Sequence, residues 1–150
     1  MADTALVLDP ASLPFRERSA GVSTIHLATA ARGATGLLNG ITRIAPGAAV
    51  PEHFHNCEES VLILSGRAYA VIDGVTFAMD ERHITLIPTG IPHYLANPSA
   101  DAPLLIFWTY ASIDATRTIV ATGRTTRIDE ELGPPDRQHG ESLSGEESGQ

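Results

Sequence analysis

The chain has 150 residues, of which 43% are hydrophobic and 19% are charged, so it predicts one globular domain and not a disordered chain. All ten basic residues are arginine, and the lack of lysine excludes Schiff-base chemistry and covalent pyridoxal attachment. The net charge of −8 is concentrated in residues 129–150, which carry seven acids and one arginine; without a basic surface, we expect no nucleic-acid partner.

The cysteine content and the N-terminal stretch indicate where the protein is located. Cys57 is the single cysteine, so no internal disulfide forms, which is typical of a reducing compartment. The first ten residues lack the basic start and the long apolar run of a secretory signal. No apolar run approaches the ~20 residues that cross a membrane. We therefore predict a soluble cytoplasmic protein without a membrane partner.

Short strands dominate the predicted structure. Residues 1–21 form a leader or arm that Pro10 and Pro14 interrupt. After it, short runs rich in β-branched residues alternate with turn residues, and Asp73-Gly74 is a hairpin signal because both residue types tolerate positive φ. The predicted strands cover residues 22–27, 36–44, 60–65, 67–72, 75–79, 84–87, 92–96 and 104–111. This spacing indicates an all-β sandwich or barrel.

The C-terminal part of the chain changes character. Residues 116–128 are consistent with one or two outer strands or with an arm that packs on a partner. Residues 129–150 are rich in Pro, Gly, Ser and Glu and bury too little to offset the cost of ordering, so we predict a flexible acidic tail. The predicted organisation is a leader at 1–21, a barrel at 22–128 and a tail at 129–150.

One constellation of residues indicates metal binding. His53 and His55 are two residues apart, which places both imidazoles on one face of a strand. Glu59 follows at the start of the next apolar run, and His93 ends the segment PTGIPH. Three imidazoles and one carboxylate suit a divalent first-row metal. On a six-coordinate ion these ligands leave two positions, enough for a chelating substrate or for a substrate together with O₂.

The same residues resemble the cupin superfamily, small β-barrels with two signature motifs. The first motif, G(x5)HxH(x3–4)E(x6)G, matches at Gly47, His53, His55, Glu59 and Gly66. The second, G(x5)PxG(x2)H(x3)N, matches at its last four fixed positions, whereas Arg82 replaces its opening glycine. Those four positions are Pro88, Gly90, His93 and Asn97. The motif spacing also selects Glu59 over Glu58.

The resemblance implies a fold, a ligand set and an assembly. The implied fold is a single-domain double-stranded β-helix, the jelly-roll barrel of RmlC-like cupins. The implied metal ligands are His53, His55, Glu59 and His93, and members of the superfamily frequently form homodimers. The resemblance does not fix the reaction, since similar barrels include dioxygenases, decarboxylases, lyases, isomerases and non-catalytic binders.

Strand alternation predicts which side chains surround the metal. Residues on the same face as Glu59 and His93 should line the barrel, although core packing is the simpler role for the apolar ones; they are Val61, Ile63, Leu95 and Asn97. On the last long strand, either Phe107 or the pair Trp108 and Tyr110 faces inward. Arg43 and Arg67 lie nearest the motif strands and are candidate clamps for a substrate carboxylate, although a surface role is commoner for arginine. His26 faces either the barrel or a partner.

The predicted function is a small metal-dependent enzyme, a non-haem dioxygenase-type oxidoreductase. The metal would chelate a small oxygenated organic substrate, with Fe(II) favoured and Mn, Ni, Co, Cu or Zn as alternatives. Glu59, the one carboxylate among the ligands, is the candidate catalytic proton acceptor. Two alternatives stay open: a redox-neutral isomerase or lyase that uses the metal as a Lewis acid, and a non-catalytic binder of a small molecule.

Overall fold

The computed structural model describes residues 5–131. Twelve strands form in this part of the chain: β1 (Arg16–Ser19), β2 (Val22–His26), β3 (Leu38–Ile44), β4 (His53–His55), β5 (Glu59–Ser65), β6 (Ala68–Ile72), β7 (Val75–Met79), β8 (Ile84–Ile87), β9 (His93–Ala96), β10 (Leu104–Tyr110), β11 (Thr116–Ile119) and β12 (Thr125–Arg127). The helical segments are 3₁₀ turns at Pro10–Ser12, Ala30–Arg32 and Ile128–Glu130. Most of the predicted tail, from residue 132 onwards, lies outside the described residues.

The strands form two antiparallel sheets of six strands each. The first sheet has the order β1-β2-β3-β10-β5-β8, and the second has the order β12-β11-β4-β9-β6-β7. Side chains from both sheets meet in one core, which includes Val22, Ile44, Ile63, Ala70 and Leu95. The all-β jelly-roll prediction is therefore confirmed. No helix in the described part of the chain is long and apolar enough to cross a membrane.

Alternating polarity determines which face of β5 and which face of β10 is buried. On β5, Val61 and Ile63 are each 1% exposed, whereas Leu64 on the other face is 42% exposed. On β10, the buried positions are Leu104, Ile106, Trp108 and Tyr110. Phe107 therefore lies on the outer face, and the pair Trp108 and Tyr110 is the one that faces inward. Burying one face of each strand also fixes the pairing register, because a shift by one residue would expose the apolar set.

Two tight turns have the backbone that their residues predict. Asp73 and Gly74 both have positive φ, 52° and 80°, and join β6 to β7, which confirms the hairpin. Arg82 has φ 73°. The residue that replaces the motif glycine thus keeps the left-handed conformation that glycine adopts more easily. The turn before β8 is therefore preserved at the cost of local backbone strain.

The segments at either end of the barrel add strands to it. Within the predicted leader, β1 pairs with β2, and Leu13 and Phe15 pack with Ile25 and Phe107 in a second apolar cluster. Residues 116–128 form the strands β11 and β12, which pair with each other, and β11 also pairs with β4. Of the possibilities that the sequence left open for this run, two outer strands are the one observed.

Candidate metal centre

The four predicted ligands come from three strands, β4 and β9 in one sheet and β5 in the other. His53 and His55 point to the same side of β4, and both are buried. Glu59 begins β5 and His93 begins β9. His53 lies directly opposite His93 across the ladder between β4 and β9. The turn between β4 and β5 places Glu59 next to the imidazoles, so the structure brings all four predicted side chains together.

The ligand atoms form a tight, buried group, which we call the metal cluster (His53, His55, Glu59 and His93). One potential ligand atom from each residue lies within 4.8 Å of all the others. Glu59 Oε1 is 2.9 Å from His93 Nε2 and 3.3 Å from His55 Nε2. Adjacent ligands at about 2.1 Å from one octahedral ion are separated by about 3 Å. These distances therefore match the edges of a metal coordination shell.

Backbone carbonyls hold all three imidazoles in one tautomer. His53 Nδ1 donates to the Pro51 carbonyl at 2.6 Å, and His93 Nδ1 donates to the Ile91 carbonyl at 2.8 Å. His55 Nδ1 donates to the Thr116 carbonyl at 2.9 Å. A carbonyl oxygen only accepts hydrogen bonds, so each Nδ1 carries the proton and each neutral ring keeps a lone pair on Nε2. Metal-binding histidines are usually oriented in this way.

The donor atoms of the metal cluster suit a cation. Three Nε2 lone pairs and an ionised carboxylate are all acceptors, and none of these four groups supplies a donor when the imidazoles are neutral. The His55 Nε2 atom is buried and has no hydrogen-bond partner, since its contact with Glu59 lacks hydrogen-bond geometry. Unsatisfied buried polar atoms are costly, and a divalent ion satisfies all four ligands at once. The cluster therefore fits a divalent metal site.

The electrostatics favour the metal-ready protonation states. Burial and the nearby Arg117 guanidinium hold the pKa of His53 well below its usual value, so this ring is neutral. Burial alone would raise the pKa of Glu59, but its contacts with His55 and His93 outweigh burial and lower it. Glu59 is therefore ionised and supplies the one negative ligand of the cluster.

A small cavity adjoins the metal cluster. Its walls include His53, Glu59 and His93 together with apolar and aromatic side chains, among them Val61, Leu95, Ile106, Trp108 and Tyr110. Its volume of about 20 Å³ is space for about one water molecule or one ion. The Tyr110 ring lies 4.5 Å from the His55 ring, measured between centroids, and Trp108 Nε1 donates to Thr42. The inward pair on β10 thus forms a rigid aromatic wall beside the cluster.

Other predicted neighbours of the site have structural roles. Val61 and Leu95 line the cavity as expected, whereas Ile63 packs in the core. Asn97 is buried, and its amide donates to the carbonyls of Ile44 and Ala102, so it ties the end of β9 to β3 in the other sheet and to the loop before β10. Cys57 is half-buried against the core, and burial raises the pKa of its thiol.

The two arginines singled out from the sequence do not reach the site. Arg43 is exposed, and its guanidinium lies 4.2 Å from the centroid of the Phe15 ring. Arg67 pairs with Asp80 at 3.0 Å, and its side chain is 72% exposed. Both arginines lie on outward-facing positions or turns, and the candidate clamp role is wrong for both.

The arginines that do line the cavity are Arg18 on β1 and Arg117 on β11. Arg117 pairs with His55 in the β4–β11 ladder, so its side chain shares the face of that ligand. It donates through Nη2 to the Tyr110 hydroxyl at 3.2 Å. The sequence reasoning missed both arginines because one lies in the predicted leader and the other in a run whose pairing was open. The alternation of TRTI on β11 was the one available signal.

His26 is buried close to the same arginines. Its ring makes an edge-on contact with Trp108 at 5.5 Å between centroids, and its Nε2 atom has no hydrogen-bond partner. Burial lowers the pKa of His26 to about 4, and the charges of Arg18 and Arg117 act in the same direction. His26 therefore faces the barrel interior as a neutral imidazole, one of the two orientations that the sequence left open.

Comparison with known proteins gives both a family and relatives. The cupin domain family model matches residues 40–110, which contain the whole metal cluster. A protein called polyketide synthase CurC from Streptomyces cyaneus is 30% identical over 95 residues, 63% of this chain. The chain spans 61% of the length of that relative.

Solved structures share the fold at low sequence identity. The polyketide cyclase RemF from Streptomyces resistomycificus matches with a TM-score of 0.67 at 14% identity, over 83% of this chain and 86% of its own. Salicylate 1,2-dioxygenase from Pseudoaminobacter salicylatoxidans matches with a TM-score of 0.56 at 14% identity, over 62% of this chain and 25% of its own. At such identities the likeness shows the fold alone, so the reaction has to be argued from the site.

Proposed function

We propose that this chain, which belongs to the cupin superfamily, is a metal-dependent enzyme that closes a ring in a polyketide-like substrate without a change of redox state. The observation that carries the proposal is the buried metal cluster, whose acceptor atoms face a cavity containing a tyrosine. The similarity to CurC and to RemF supports a substrate with several carbonyl groups.

The residues of the chain divide the chemistry among them. His53, His55, Glu59 and His93 would hold one divalent ion, which when bound supplies Lewis-acid polarisation of a carbonyl or enol oxygen. Glu59, the one carboxylate among these ligands, accepts a proton from the substrate carbon next to a carbonyl group. Burial and the charge of Glu59 raise the pKa of Tyr110 well above its usual value, so its hydroxyl stays protonated.

Tyr110 is placed to donate a hydrogen bond into the cavity. Its oxygen accepts from Arg117, which leaves its own hydrogen free to point at a substrate oxygen. In the proposed step the deprotonated substrate carbon bonds to a second carbonyl carbon of the same molecule, and that carbonyl oxygen takes the Tyr110 proton. The proton gained by Glu59 balances the one lost by Tyr110. Subsequent loss of water needs no oxidant.

The test separates ring closure from oxidation. The protein is stripped with a chelator, reloaded anaerobically with Zn²⁺, Co²⁺ or Fe²⁺, and mixed with a linear β-triketone as the probe. We expect a product lighter by one water, formed without O₂ and absent from the metal-free protein. Glu59→Gln should abolish turnover while retaining much of the metal. A product that appears only with Fe²⁺ and consumes O₂ would overturn the proposal.

A dioxygenase is the second candidate, with Fe(II) as the expected metal. It is favoured by the four protein ligands, which leave two positions on a six-coordinate ion, and by the shared fold with salicylate 1,2-dioxygenase. O₂ uptake with small phenolics and diketones distinguishes it from ring closure. A molecule that purifies with the protein in a one-to-one ratio and is recovered unchanged would indicate the non-catalytic binder instead.

We further propose a homodimer in the cytoplasm. β8 lies at the edge of its sheet, and its outward side chains Ile84 and Leu86 are 64% and 70% exposed. Leu64 on the adjacent β5 is also exposed, so these residues form an apolar strip suited to a second copy of the chain. Ile84→Glu should shift the sedimentation coefficient from dimer to monomer, whereas an unchanged value would contradict this interface.

A further inference from the structure

Two buried arginines adjoin the metal cluster, and the proposed function does not explain both. Arg18 and Arg117 line the same cavity as His53, Glu59 and His93. Their side chains are 13% and 9% exposed. Buried guanidinium groups are costly unless an anion pairs with them, so their place beside the cavity requires an explanation.

A carboxylate from the end of the described chain pairs with both arginines. Glu131 Oε2 is 2.6 Å from Arg117 Nε, and Glu131 Oε1 is 3.4 Å from Arg18 Nη1. The Glu131 side chain is itself only 8% exposed. Each oxygen of this one carboxylate thus meets a different arginine, which is how two guanidinium groups hold the carboxylate of a bound ligand.

The charges at the cavity do not balance once an ion is bound. The two carboxylates, Glu59 and Glu131, offset the two arginines. A divalent ion then leaves a surplus of two positive charges in a largely buried space. Such a site attracts an anion, which either binds in addition to Glu131 or replaces Glu131 if it makes more favourable contacts.

The cavity is also too small for an organic substrate unless the groups around it move. The volume of about 20 Å³ admits about one water molecule, and two of its walls, Arg18 and Arg117, are held by Glu131. Glu131 lies after the 3₁₀ turn Ile128–Glu130 and outside every described strand, and its backbone N–H donates to the Ile128 carbonyl at 3.3 Å. Its carboxylate can therefore leave without breaking a sheet, whereas the arginines are held on β1 and β11.

We propose that Arg18 and Arg117 form a carboxylate-binding subsite beside the metal centre, which Glu131 fills until the carboxylate of the substrate replaces it. The inference rests on the proposed function, because it assigns a substrate class to that same site: a carbonyl compound that also carries a carboxylate. Glu131 is then an internal competitor of the substrate.

The subsite is tested by calorimetric titration with benzoate, and with benzamide as the uncharged analogue, on zinc-loaded and on metal-free protein. Glu131→Gln should bind benzoate about tenfold more tightly than the unaltered chain, because the competing charge is removed. Arg18→Gln and Arg117→Gln should each weaken benzoate binding about tenfold or more. Arg43→Gln, on the outer surface over Phe15, is the matched control and should change nothing.

The outcomes separate this inference from the proposed function. Zinc stoichiometry is measured first: if zinc does not bind but benzoate affinity still depends on Arg18, the metal proposal fails and the subsite stands. If zinc binds and benzoate affinity is the same in Glu131→Gln, Arg18→Gln and the unaltered chain, the subsite is overturned alone. Arg18 is on a peripheral strand, so its variant keeps the test decisive even where Arg117→Gln fails to fold.

Discussion

The metal cluster and the arginine cluster, by which we mean Arg18, Arg117 and Glu131, meet at one cavity but are built differently. The metal cluster comes from strands close together in the sequence, and each imidazole is fixed by a backbone carbonyl. The arginine cluster joins β1, β11 and the end of the described chain, 113 residues apart at its extremes, through ion pairs between side chains. The first cluster is preorganised by the backbone, whereas the second depends on contacts that an anion can exchange.

The largest expected effect comes from breaking the metal cluster. His93→Ala removes one ligand and its contact with Glu59. Zinc affinity should fall about 100-fold or more, because even partners outside the ligand set are worth about 10–100-fold. Isothermal titration with zinc measures this loss, and His83→Ala is the control, because His83 is exposed and its Nδ1 accepts from the backbone N–H of Asp80. Unchanged zinc affinity in the His93 variant would remove the metal site from consideration.

A second prediction concerns pH and the surroundings of the arginine cluster. Burial lowers the pKa of His26 to about 4 in the folded chain, against about 6.5 for a solvent-exposed histidine in the unfolded chain. As pH falls below about 6.5 the unfolded chain takes up a proton first, so this contribution to stability is complete above that pH. Between pH 6.5 and about 4, the free energy of unfolding falls by up to about 3 kcal/mol through His26, and this effect does not increase further below pH 4.

Urea unfolding at pH 7, 5.5 and 4 measures this pH dependence. His26→Phe keeps an aromatic ring next to Trp108 and should lose the part of the pH dependence that His26 contributes. Comparing the two proteins cancels the titration of the metal-cluster histidines, which both retain. Parallel pH profiles for the two proteins would show that the imidazole of His26 is not responsible.

Tyr110 connects the two clusters, so its hydroxyl provides a smaller and more selective test. Its ring packs on His55 and its oxygen accepts from Arg117. Tyr110→Phe keeps the ring and should leave zinc affinity within about twofold while lowering turnover of the β-triketone about tenfold. Metal titration and product formation are measured on the same preparation. Equal losses of metal and turnover would reassign Tyr110 to the support of His55.

The smallest expected effect lies outside both clusters. Arg82 has φ 73°, a conformation that costs a residue with a Cβ about 1–2 kcal/mol. Glycine avoids this cost but loses more conformational entropy on folding, which cancels part of the gain. Arg82→Gly should therefore stabilise the chain by about 0.5–1 kcal/mol in urea unfolding, with zinc affinity unchanged. Arg124→Gly serves as a comparison on another exposed loop. Destabilisation by Arg82→Gly would mean that contacts of the arginine side chain outweigh the strain.

The metal cluster was predictable because its information is local. The spacing of His53 and His55 fixes a shared face on any strand, and the motif spacing adds Glu59 and His93. The strands that carry them were predictable for a related reason, since burial of one face imposes alternation along β5 and β10. Arg82 illustrates the limit of residue preferences: the turn kept its shape although the residue that favours it is absent.

The arginine cluster was not predictable because it depends on pairing between distant segments. Nothing local states that β1 joins the first sheet or that β11 pairs with β4. The position of Arg43 close to the motif strands in sequence favoured Arg43 instead. On β3, however, Arg43 points away from the core, whereas its neighbours Thr42 and Ile44 point into it. Glu131 belongs to a stretch whose composition indicates a tail, and its ion pairs with two arginines are what hold its side chain.

Strand β11 links the metal cluster to the arginine cluster through two adjacent residues. Thr116 offers its carbonyl to the His55 ring, and the next residue, Arg117, reaches the carboxylate of Glu131. An anion that binds the Arg117 guanidinium therefore acts on the same stretch of backbone that orients the His55 imidazole. We therefore expect anion binding to shift the His55 ligand as well as to change the charge near the ion. In cobalt-loaded protein, this shift would change the visible absorption spectrum.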